Sequence, residues 1–192
     1  MPSPPANGLS AGGLAGETRT VWAVEVRDCT TRELPQVLGL WDAADAEPTV
    51  TDDLAGLEAL LSFASGSLLV ALHDDVVIGT LICGWDGWRA AFYRLAVAPM
   101  FRRQGIATAL VREGERRLHQ WGARRIAVIA VESAPAAVPF WIAAGYVPQT
   151  DRSRLVKNLT GRAVADDPDI RAAGRDARPD RGRADRGGWR AE

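Results

Sequence analysis

The sequence predicts one α/β domain, with a mixed and mostly antiparallel sheet that is flanked by helices on both sides. Strand and helix patterns follow one another in the order β-α-α-β-β-β-α-β-α-β-β. Two consecutive hairpin-like connections indicate an antiparallel meander, and a helical pattern followed by a continuous apolar run indicates a parallel crossover. A length of 192 residues, of which 47% are hydrophobic and 24% are charged, suits a single globular domain.

The first part of the domain contains a strand and two helices. Residues 23–27 have a strand pattern, and Thr30 or Thr31 can cap the helix that follows, with Glu33 in its first turn. Residues 51–54 begin a second helix, because Thr and Asp precede an apolar helical pattern there.

The central part of the domain is a predicted meander of strands. Residues 67–72 and 76–83 are apolar and β-branched and are joined by a short polar turn, which predicts a β-hairpin. The loop 84–89 ends this run, and residues 91–97 form a further strand that stops before Pro99.

The last part of the domain alternates helices and strands. Apolar positions recur with a helical period from Gly105 to Trp121, and Gly122 is placed to end this helix. Residues 126–131 predict a strand that is buried on both faces. The remaining predicted elements are a short helix over residues 135–144, stopped by Gly145, and strands at residues 146–148 and 154–159.

The two ends of the chain differ in composition from the part between them. Residues 1–20 are rich in Pro, Gly, Ala and Ser, and we expect a disordered leader there. Residues 161–192 interleave eight Arg with six Asp and a final Glu, which predicts a disordered charged tail. The predicted domain is therefore residues 21–160.

Composition argues against several classes of protein. The formal net charge is −1, so the chain lacks the excess of Lys and Arg that a dedicated nucleic-acid-binding protein needs. It has no run of about 18 apolar residues and no signal-peptide pattern, so we expect no membrane association. Cys29 and Cys83 stand far apart, which predicts neither a disulfide framework nor a metal site and fits a cytoplasmic protein.

Charge is distributed unevenly along the domain. Residues 21–86 contain twelve Asp and Glu against two Arg, whereas residues 87–160 contain twelve Arg and Lys against four Asp and Glu. A basic half of this kind can bind a polyanionic small molecule although the whole chain is nearly neutral.

An anion site is predicted where the strand 91–97 leads into the helix after Gly105. A strand-to-helix turn directs unpaired N–H groups at one point, and the helix dipole adds partial positive charge. Gly105 and Ala107 leave room for a phosphate to approach the main chain. The turn is not a Walker P-loop, since no Gly-Lys-Ser/Thr follows, and it lacks the G-x-G-x-x-G motif of dinucleotide-binding folds.

The segment 95–110 resembles the acetyl-CoA motif of the GNAT family of N-acetyltransferases, in which L-x-V-x-P-x-x-R-x-x-G-x-G/A precedes a helix. Its sequence here is LAVAPMFRRQGIATAL. The order of elements over residues 22–160 and the sequence FWIAAGY at residues 140–146 extend the resemblance, which implies a GNAT-like fold. Residues 84–89 also resemble a G-x-D-G-x-R loop found in a bacterial subgroup of the family.

This resemblance implies that acetyl-CoA is the cosubstrate. Backbone groups of residues 95–97 would pair with its pantetheine arm, and the amides of residues 103–108 would hold its pyrophosphate, with Arg102 or Arg103 adding charge. The implied cofactor-binding residues are Leu95, Ala96, Val97, Arg102, Arg103, Gln104, Gly105, Ile106, Ala107 and Thr108.

The sequence departs from the family pattern in the later helix. A Tyr there often protonates the departing thiolate in the family, but alignment on Gly145 and Tyr146 places Trp141 at that position. An indole N–H is a hydrogen-bond donor and not a practical acid. Ala134 also stands where many relatives carry Asn.

Other residues are candidates for the proton transfers. Tyr93, Ser133 and Tyr146 are candidate acids, although core packing explains Tyr146 better. Glu132, after the buried strand, and Asp86, in the loop 84–89, are candidate bases, and each is also explained as a solvated loop charge. The predicted catalytic residues are Tyr93, Glu132 and Asp86, without a metal ion.

The sequence thus predicts an acetyl-CoA-dependent N-acetyltransferase that acts on an amine, as a monomer or a homodimer. The acceptor is an amine-bearing small molecule or a protein amine, and the acidic first half favours a cationic one. The alternative is a catalytically weak domain that binds acyl-CoA as a sensor or assembly module, because Trp141 and Ala134 depart from the family pattern. A third interpretation is an acyl-CoA site with no preference for acetyl.

Overall fold

A computed structural model describes residues 24–130, 134–149 and 154–159 of the protein. The strands are β1 Glu25–Asp28, β2 Leu68–His73, β3 Val76–Trp85, β4 Ala90–Val97 and β5 Ile126–Val128, and the helices are α1 Leu34–Ala43, α2 Leu54–Phe63, α3 Ile106–Gln120 and α4 Ala137–Ala143. The strands form one sheet in the order β1-β2-β3-β4-β5. The first four are antiparallel neighbours, and β5 runs parallel to β4.

The predicted fold class is confirmed, because helices cover both faces of this mixed sheet. Residues of β2 alternate between two core clusters, so that β2 is buried on both faces. The first core cluster, under α3 and α4, includes Leu69, Ala71, Ile78, Leu81, Cys83, Phe92, Leu110, Leu118 and Trp141. The second core cluster, under α1 and α2, includes Leu34, Val37, Leu40, Trp41, Leu57, Leu68, Val70 and Leu72.

Both early helices begin at the capping residues that the sequence contains. The backbone N–H of Thr30 donates to Oε2 of Glu33 at 2.8 Å, and a 3₁₀ turn leads from there into α1. Arg27 also binds Glu33 and holds the pKa of that carboxyl below its usual range. The side chain of Asp53 accepts from the N–H of Gly56 at 2.7 Å and so caps α2.

The predicted hairpin between β2 and β3 is confirmed. Its two turn residues, Asp74 and Asp75, have φ values of 49° and 60°. Positive φ at both central residues is the conformation of a type I′ turn, whose twist matches that of the flanking strands. Asp tolerates this conformation better than most residues do.

The strands predicted for the C-terminal part of the domain differ from those in the structure. The strand expected at residues 126–131 extends only to Val128, and it is not buried on both faces, because Ala127 is exposed and Ile129 is 52% exposed. It lies at the margin of the described sheet, where only β4 pairs with it. The described residues of the ranges predicted as the last two strands pair with no strand, and Val147 and Leu155 are 83% and 92% exposed.

Some predictions fall outside the residues that the structure describes. These are the leader 1–20, the tail 161–192, and the candidates Glu132 and Ser133. Within the described ranges, no helix has the length and apolar character to cross a membrane.

We expect Gly114→Ala to destabilise the fold. A Cβ at Gly114 would stand 2.8 Å from Cε1 of Phe92 and 2.9 Å from Cδ2 of Leu81, closer than carbon atoms approach without displacement. Overpacking costs about 1–3 kcal/mol, and contact with two buried side chains places Gly114 in the upper part of this range, above the gain of about 1 kcal/mol in helix propensity. Urea denaturation measures the change.

Gly39→Ala is the matched control. Gly39 lies inside α1, is exposed, and would place a Cβ with no atom within 4 Å. We therefore expect this variant to be more stable than the wild type by about 0.5–1 kcal/mol. Similar effects of the two substitutions would contradict the close packing of α3 on the sheet.

Candidate functional site

β4 has an open edge close to the start of α3. β5 pairs only with Ala90, Ala91 and Phe92 at the beginning of β4. From Tyr93 onward, the edge of β4 that faces β5 has no strand partner among the described residues, whereas β3 pairs with the other edge as far as Val97. An unpaired strand edge of this kind can bind an extended ligand through main-chain hydrogen bonds.

A β-bulge interrupts β4 just before the residues that were expected to bind pantetheine. Arg94 and Leu95 both lie opposite Leu81 of β3, since Tyr93 pairs with Ile82 and the next regular pair is Ala96 with Thr80. The bulge includes a φ of 53° at residue 94, which is uncommon for a residue with a Cβ. The bulge therefore redirects the backbone of β4 directly before residues 95–97.

The turn after β4 leads to a helix start with no side-chain cap. Gly105 is the N-cap residue of α3, with a φ of 85° and no side chain to accept from the first-turn amides. The amides of residues 105–108 have no acceptor inside the helix. A Cβ at Gly105 would have no atom within 4 Å, so the space beside these amides is open. Their N–H groups and the positive end of the helix dipole suit an anion.

The side chain of Arg102 binds the protein's own main chain. Its Nε donates to the carbonyl oxygen of Val97 at 3.2 Å, and its Nη2 donates to the carbonyl oxygen of Ala44 at 3.1 Å. Arg102 thereby connects the end of β4 with the end of α1. The suitability of the turn for an anion consequently depends on the main-chain amides more than on this guanidinium.

Other residues of the motif shape and anchor the turn. Arg103 has a left-handed φ of 63°, and Nε2 of Gln104 donates to the carbonyl oxygen of Met100 at 3.2 Å. Ile106 is 3% exposed and packs in the first core cluster, so the start of α3 is fixed on the sheet.

A cleft of about 190 Å³ lies between α3 and α4. It extends from the first turn of α3 to the end of α4, and it contains one positive and one negative side chain. The cleft therefore begins at the turn of α3 that carries the uncapped amides. Its lining residues are Thr108, Val111, Arg112, Glu115, Ala143 and Ala144.

Trp141, at the position where the resemblance expects Tyr, belongs to the first core cluster. Its side chain is 8% exposed, stacks on Phe92 with 6.2 Å between ring centroids, and meets Tyr146 edge-on at 4.9 Å. Tyr146 donates from its hydroxyl to Oε1 of Glu115 at 3.0 Å. Burial, and then Glu115, raise the pKa of this hydroxyl. Both aromatic residues therefore pack α4 against α3 and β4.

Among the predicted catalytic residues, Tyr93 lies beside the open edge. It immediately precedes the bulge and is 49% exposed. Its ring lies across Gly84 of β3, since a Cβ at Gly84 would stand 2.9 Å from Cε2 of the Tyr.

Asp86 lies in the turn between β3 and β4. Its Oδ1 accepts from the N–H of Arg89 at 2.6 Å and from that of Trp88 at 2.8 Å, and these bonds lower the pKa of the carboxyl. Because a strand rises about 3.3 Å per residue, this turn is about 16 Å from Leu95 along β4. Trp88 is 74% exposed under the guanidinium of Arg89, at 4.2 Å, so it is not a core residue. The structure does not bring Asp86 together with Leu95.

Neither cysteine is a candidate nucleophile. Cys29 and Cys83 are buried free thiols in the two core clusters. Burial raises the pKa of each thiol to about 12, so both are protonated at neutral pH.

Sequence reasoning missed the network that holds the bulge. Oγ1 of the fully buried Thr80 donates to the carbonyl oxygen of Arg94 and accepts from Nε1 of Trp41, both at 2.9 Å. The Arg94 guanidinium forms an ion pair with Asp52, which stands 42 residues earlier in the chain. Two features of the sequence could have indicated this network: Thr80 stands within an apolar strand, and Arg94 is the single charged residue in the strand 90–97.

The fold and the site together define an acetyltransferase of one family. The model of the Acetyltransferase (GNAT) family matches residues 33–146, and the chain belongs to this family. It is 32% identical over 115 residues to an acetyltransferase of Photorhabdus laumondii, a match that covers 60% of this chain and 80% of that protein.

Solved structures share the fold at low sequence identity. Ard1 from Thermoplasma volcanium is 18% identical with a TM-score of 0.59, and the match covers 67% of this chain and 85% of that one. An aminoglycoside N-acetyltransferase that was solved in complex with CoA is 19% identical with a TM-score of 0.55, covering 71% of this chain and 95% of that one.

Proposed function

We propose that the chain is an acetyl-CoA-dependent N-acetyltransferase that moves an acetyl group to an amine by direct attack on the thioester. The observation that carries this proposal is the continuity of two features, the open edge of β4 over residues 95–97 and the uncapped start of α3 at Gly105. The open edge suits an extended arm that contains amide groups, and the start of α3 suits a pyrophosphate.

The open edge would hold the pantetheine arm. This arm contains two amide groups, which can exchange hydrogen bonds with the backbone of residues 95–97 as an added strand would. After the bulge at Arg94, Ala96 and Val97 resume regular pairing with β3, so the opposite edge of these residues stays open. An amide near Val97 is then suited to donate to the thioester carbonyl and to stabilise the negative charge that develops there.

The start of α3 would hold the pyrophosphate. The residues present fit such a group, because residues 105–108 supply N–H donors that have no partner within the helix and the space beside Gly105 is open. The cleft between α3 and α4, which begins at Thr108, continues from this point. We assign Arg102 to the shape of the turn, since it binds Val97 and Ala44.

The reaction requires two proton movements. The thioester supplies an activated acetyl group, and a neutral acceptor amine attacks its carbonyl carbon. A C–N bond forms, the C–S bond breaks, the nitrogen loses a proton to a base and the sulfur gains one. We assign the base to Glu132 or Asp86 and the acid to Tyr93, a half-exposed residue at the point where the edge of β4 becomes open.

We propose a cationic acceptor, either an amine-bearing small molecule or a protein amine. The loop between α1 and α2, residues 44–53, carries Asp45, Glu47 and Asp53 besides Asp52, which pairs with Arg94, and it is attached to β4 and to the turn after it. An acidic loop beside the thioester would attract a protonated amine. The base must then remove the proton before attack.

A second candidate function is supported by Trp141. Its indole is 8% exposed and packed between Phe92 and Tyr146, so a hydroxyl group is absent where the family often places its acid. A domain that binds acyl-CoA with weak or no transfer would serve as a sensor or assembly module.

Thiol release from acetyl-CoA with a panel of amines tests the proposed function. We expect amine-dependent release that follows Michaelis–Menten kinetics. The kcat/KM should be higher for polyamines and lysine peptides than for amines that carry no further positive charge. Calorimetric binding of CoA without release on any acceptor would favour the module. Parallel assays with propionyl- and succinyl-CoA measure the preference for acetyl.

We expect Gly105→Glu to weaken CoA binding by about 100-fold or more. The new side chain fills the open space beside the first-turn amides and places a negative charge there, and the loss of two hydrogen bonds to a charged group costs about 3 kcal/mol. Calorimetry with CoA measures the effect.

Gly122→Glu is the control for this variant. Gly122 follows the other end of α3, has a φ of 99° and has no atom within 4 Å of a Cβ, so backbone strain and added charge are matched. We expect its affinity for CoA to equal that of the wild type. Unchanged affinity in Gly105→Glu would overturn the assignment of the pyrophosphate site.

Isosteric substitutions separate the two candidate bases. We expect Glu132→Gln to lower kcat/KM for the amine by about 10²–10⁴-fold, the usual contribution of a general base. In Asp86→Asn the amide oxygen still accepts from Trp88 and Arg89, so the turn is kept while the charge is removed, and we expect little change. Asp74→Asn, in the exposed β2–β3 turn, is the control.

The opposite result, a large loss in Asp86→Asn alone, would assign the base to Asp86. The pH profile gives a second test, because the lowered pKa keeps Asp86 ionised at neutral pH. A rising limb of kcat/KM between about pH 6 and 8 would therefore belong to another group.

A further inference from the structure

We infer that Arg94 is a positioning residue, which holds loop 44–53 against the bulge of β4 and so fixes the acceptor side of the site. The inference rests on the proposed function, in which the edge after the bulge binds the acyl donor and this loop borders the acceptor. It assigns control of acceptor binding to a residue that touches neither substrate.

All three guanidinium nitrogens of Arg94 bind the same loop. Nη1 donates to the carbonyl oxygen of Glu47 at 2.8 Å, and Nε donates to Oδ1 of Asp52 at 3.1 Å. Nη2 donates to the other carboxylate oxygen of Asp52 and to Oγ1 of Thr49 at 3.3 Å. The side chains of Arg94 and Asp52 are only 15% and 13% exposed, so solvent screens this pair weakly.

The loop has further attachments at its two ends. Arg102 binds the carbonyl oxygen of Ala44 at the beginning of the loop, at 3.1 Å. At its end, Asp53 caps α2, and within the loop Asp52 also accepts from the N–H of Thr49 at 2.6 Å. Arg94 supplies the attachment of the middle of the loop to the sheet, and it does so from the strand that carries the open edge.

The main chain of Arg94 is held as firmly as its side chain. Its carbonyl oxygen accepts from the buried hydroxyl of Thr80, which in turn accepts from the indole of Trp41 in α1. The guanidinium also lies 5.0 Å from the centroid of the Trp41 ring. A left-handed residue inside a strand persists only where its surroundings fix it, and the bond from Thr80 fixes the main chain here without the guanidinium. A shortened side chain at position 94 would therefore release the loop while the backbone before Leu95 stays in place.

The pattern of bonds requires Arg at this position. The planar fork of donors reaches a carbonyl oxygen, a hydroxyl and both oxygens of one carboxylate at once, whereas the ammonium of Lys is a point charge with a different geometry. Arg94→Lys consequently keeps the charge and removes most of the attachment.

The test compares Arg94→Lys with Arg117→Lys in the full chain. The Arg117 side chain is 14% exposed, pairs with Asp28 and Glu113, and donates to the carbonyl oxygen of Gly66 at 2.7 Å, but it connects α3 with the far edge of the sheet. The two variants therefore lose similar attachments at different places.

For Arg94→Lys we expect the KM for the acceptor amine to rise by about tenfold or more, because a displaced loop misplaces the acceptor. The KM for acetyl-CoA and the Kd for CoA should stay unchanged. In Arg117→Lys all three constants should equal those of the wild type. An unchanged acceptor KM in Arg94→Lys, or an equal rise in both variants, would overturn the inference.

Hydrogen exchange distinguishes failure of the inference from failure of the proposed function. If the wild-type chain acetylates no amine, the proposed function is wrong, and exchange in loop 44–53 decides the role of Arg94. Faster exchange in loop 44–53 of Arg94→Lys, but not of Arg117→Lys, supports the positioning role of Arg94. Equal exchange in the two variants overturns that role. If Arg94→Lys does not fold, Asp52→Asn takes its place with Asp28→Asn as control, because each keeps an acceptor oxygen for its arginine.

Discussion

β4 and β5 share a ladder of only three residue pairs, and the site depends on the point where that ladder stops. Phe92 is the last residue of β4 in the ladder, and it is fixed by the stacked ring of Trp141 and by α3, which approaches closely at Gly114. Directly beyond, the bulge at Arg94 redirects β4. Tight packing around Phe92 thus holds β4 against β5 at the beginning of β4. The strained backbone at Arg94 sets the course of the rest of β4, whose open edge leads toward the start of α3.

The basic half of the sequence suggested that Arg side chains bind an anionic ligand, but in the structure several of them bind other parts of the protein. Arg94 binds loop 44–53, Arg102 binds two carbonyl oxygens, and Arg116 and Arg117 pair with Glu113. Arg94, Arg102 and Arg117 connect elements of the fold, and the charges of Arg94, Arg116 and Arg117 are compensated by carboxylates. The suitability of the turn for an anion therefore comes from main-chain N–H groups at a helix start, which a count of charged residues does not reveal.

The parts of the fold that short-range physics determines could be predicted from the sequence. Capping by Thr30 and Asp53 and the left-handed turn at residues 74–75 act within a few residues, and helical periodicity located α3. The bulge could not be predicted in this way, because residues 91–97 look like a regular strand and the partner of Arg94 stands 42 residues earlier. The apolar composition of residues 126–131 indicated a buried strand, but burial depends on neighbours, and in the part of the chain that the structure describes only β4 pairs with β5.

The aromatic residues near the open edge indicate from which side the sulfur would be protonated. Trp141 of α4 lacks a hydroxyl, and the hydroxyl of Tyr146, which follows α4, is bound to Glu115, so neither residue supplies a free hydroxyl. Tyr93 follows Phe92 in β4 and therefore lies on the opposite face of the sheet, the face that carries α1 and α2. A proton from Tyr93 would thus come from the acceptor side, which is the side that loop 44–53 borders. In the proposed reaction, the position of that loop would affect both the binding of the amine and the departure of the thiolate, and Arg94 would link the two.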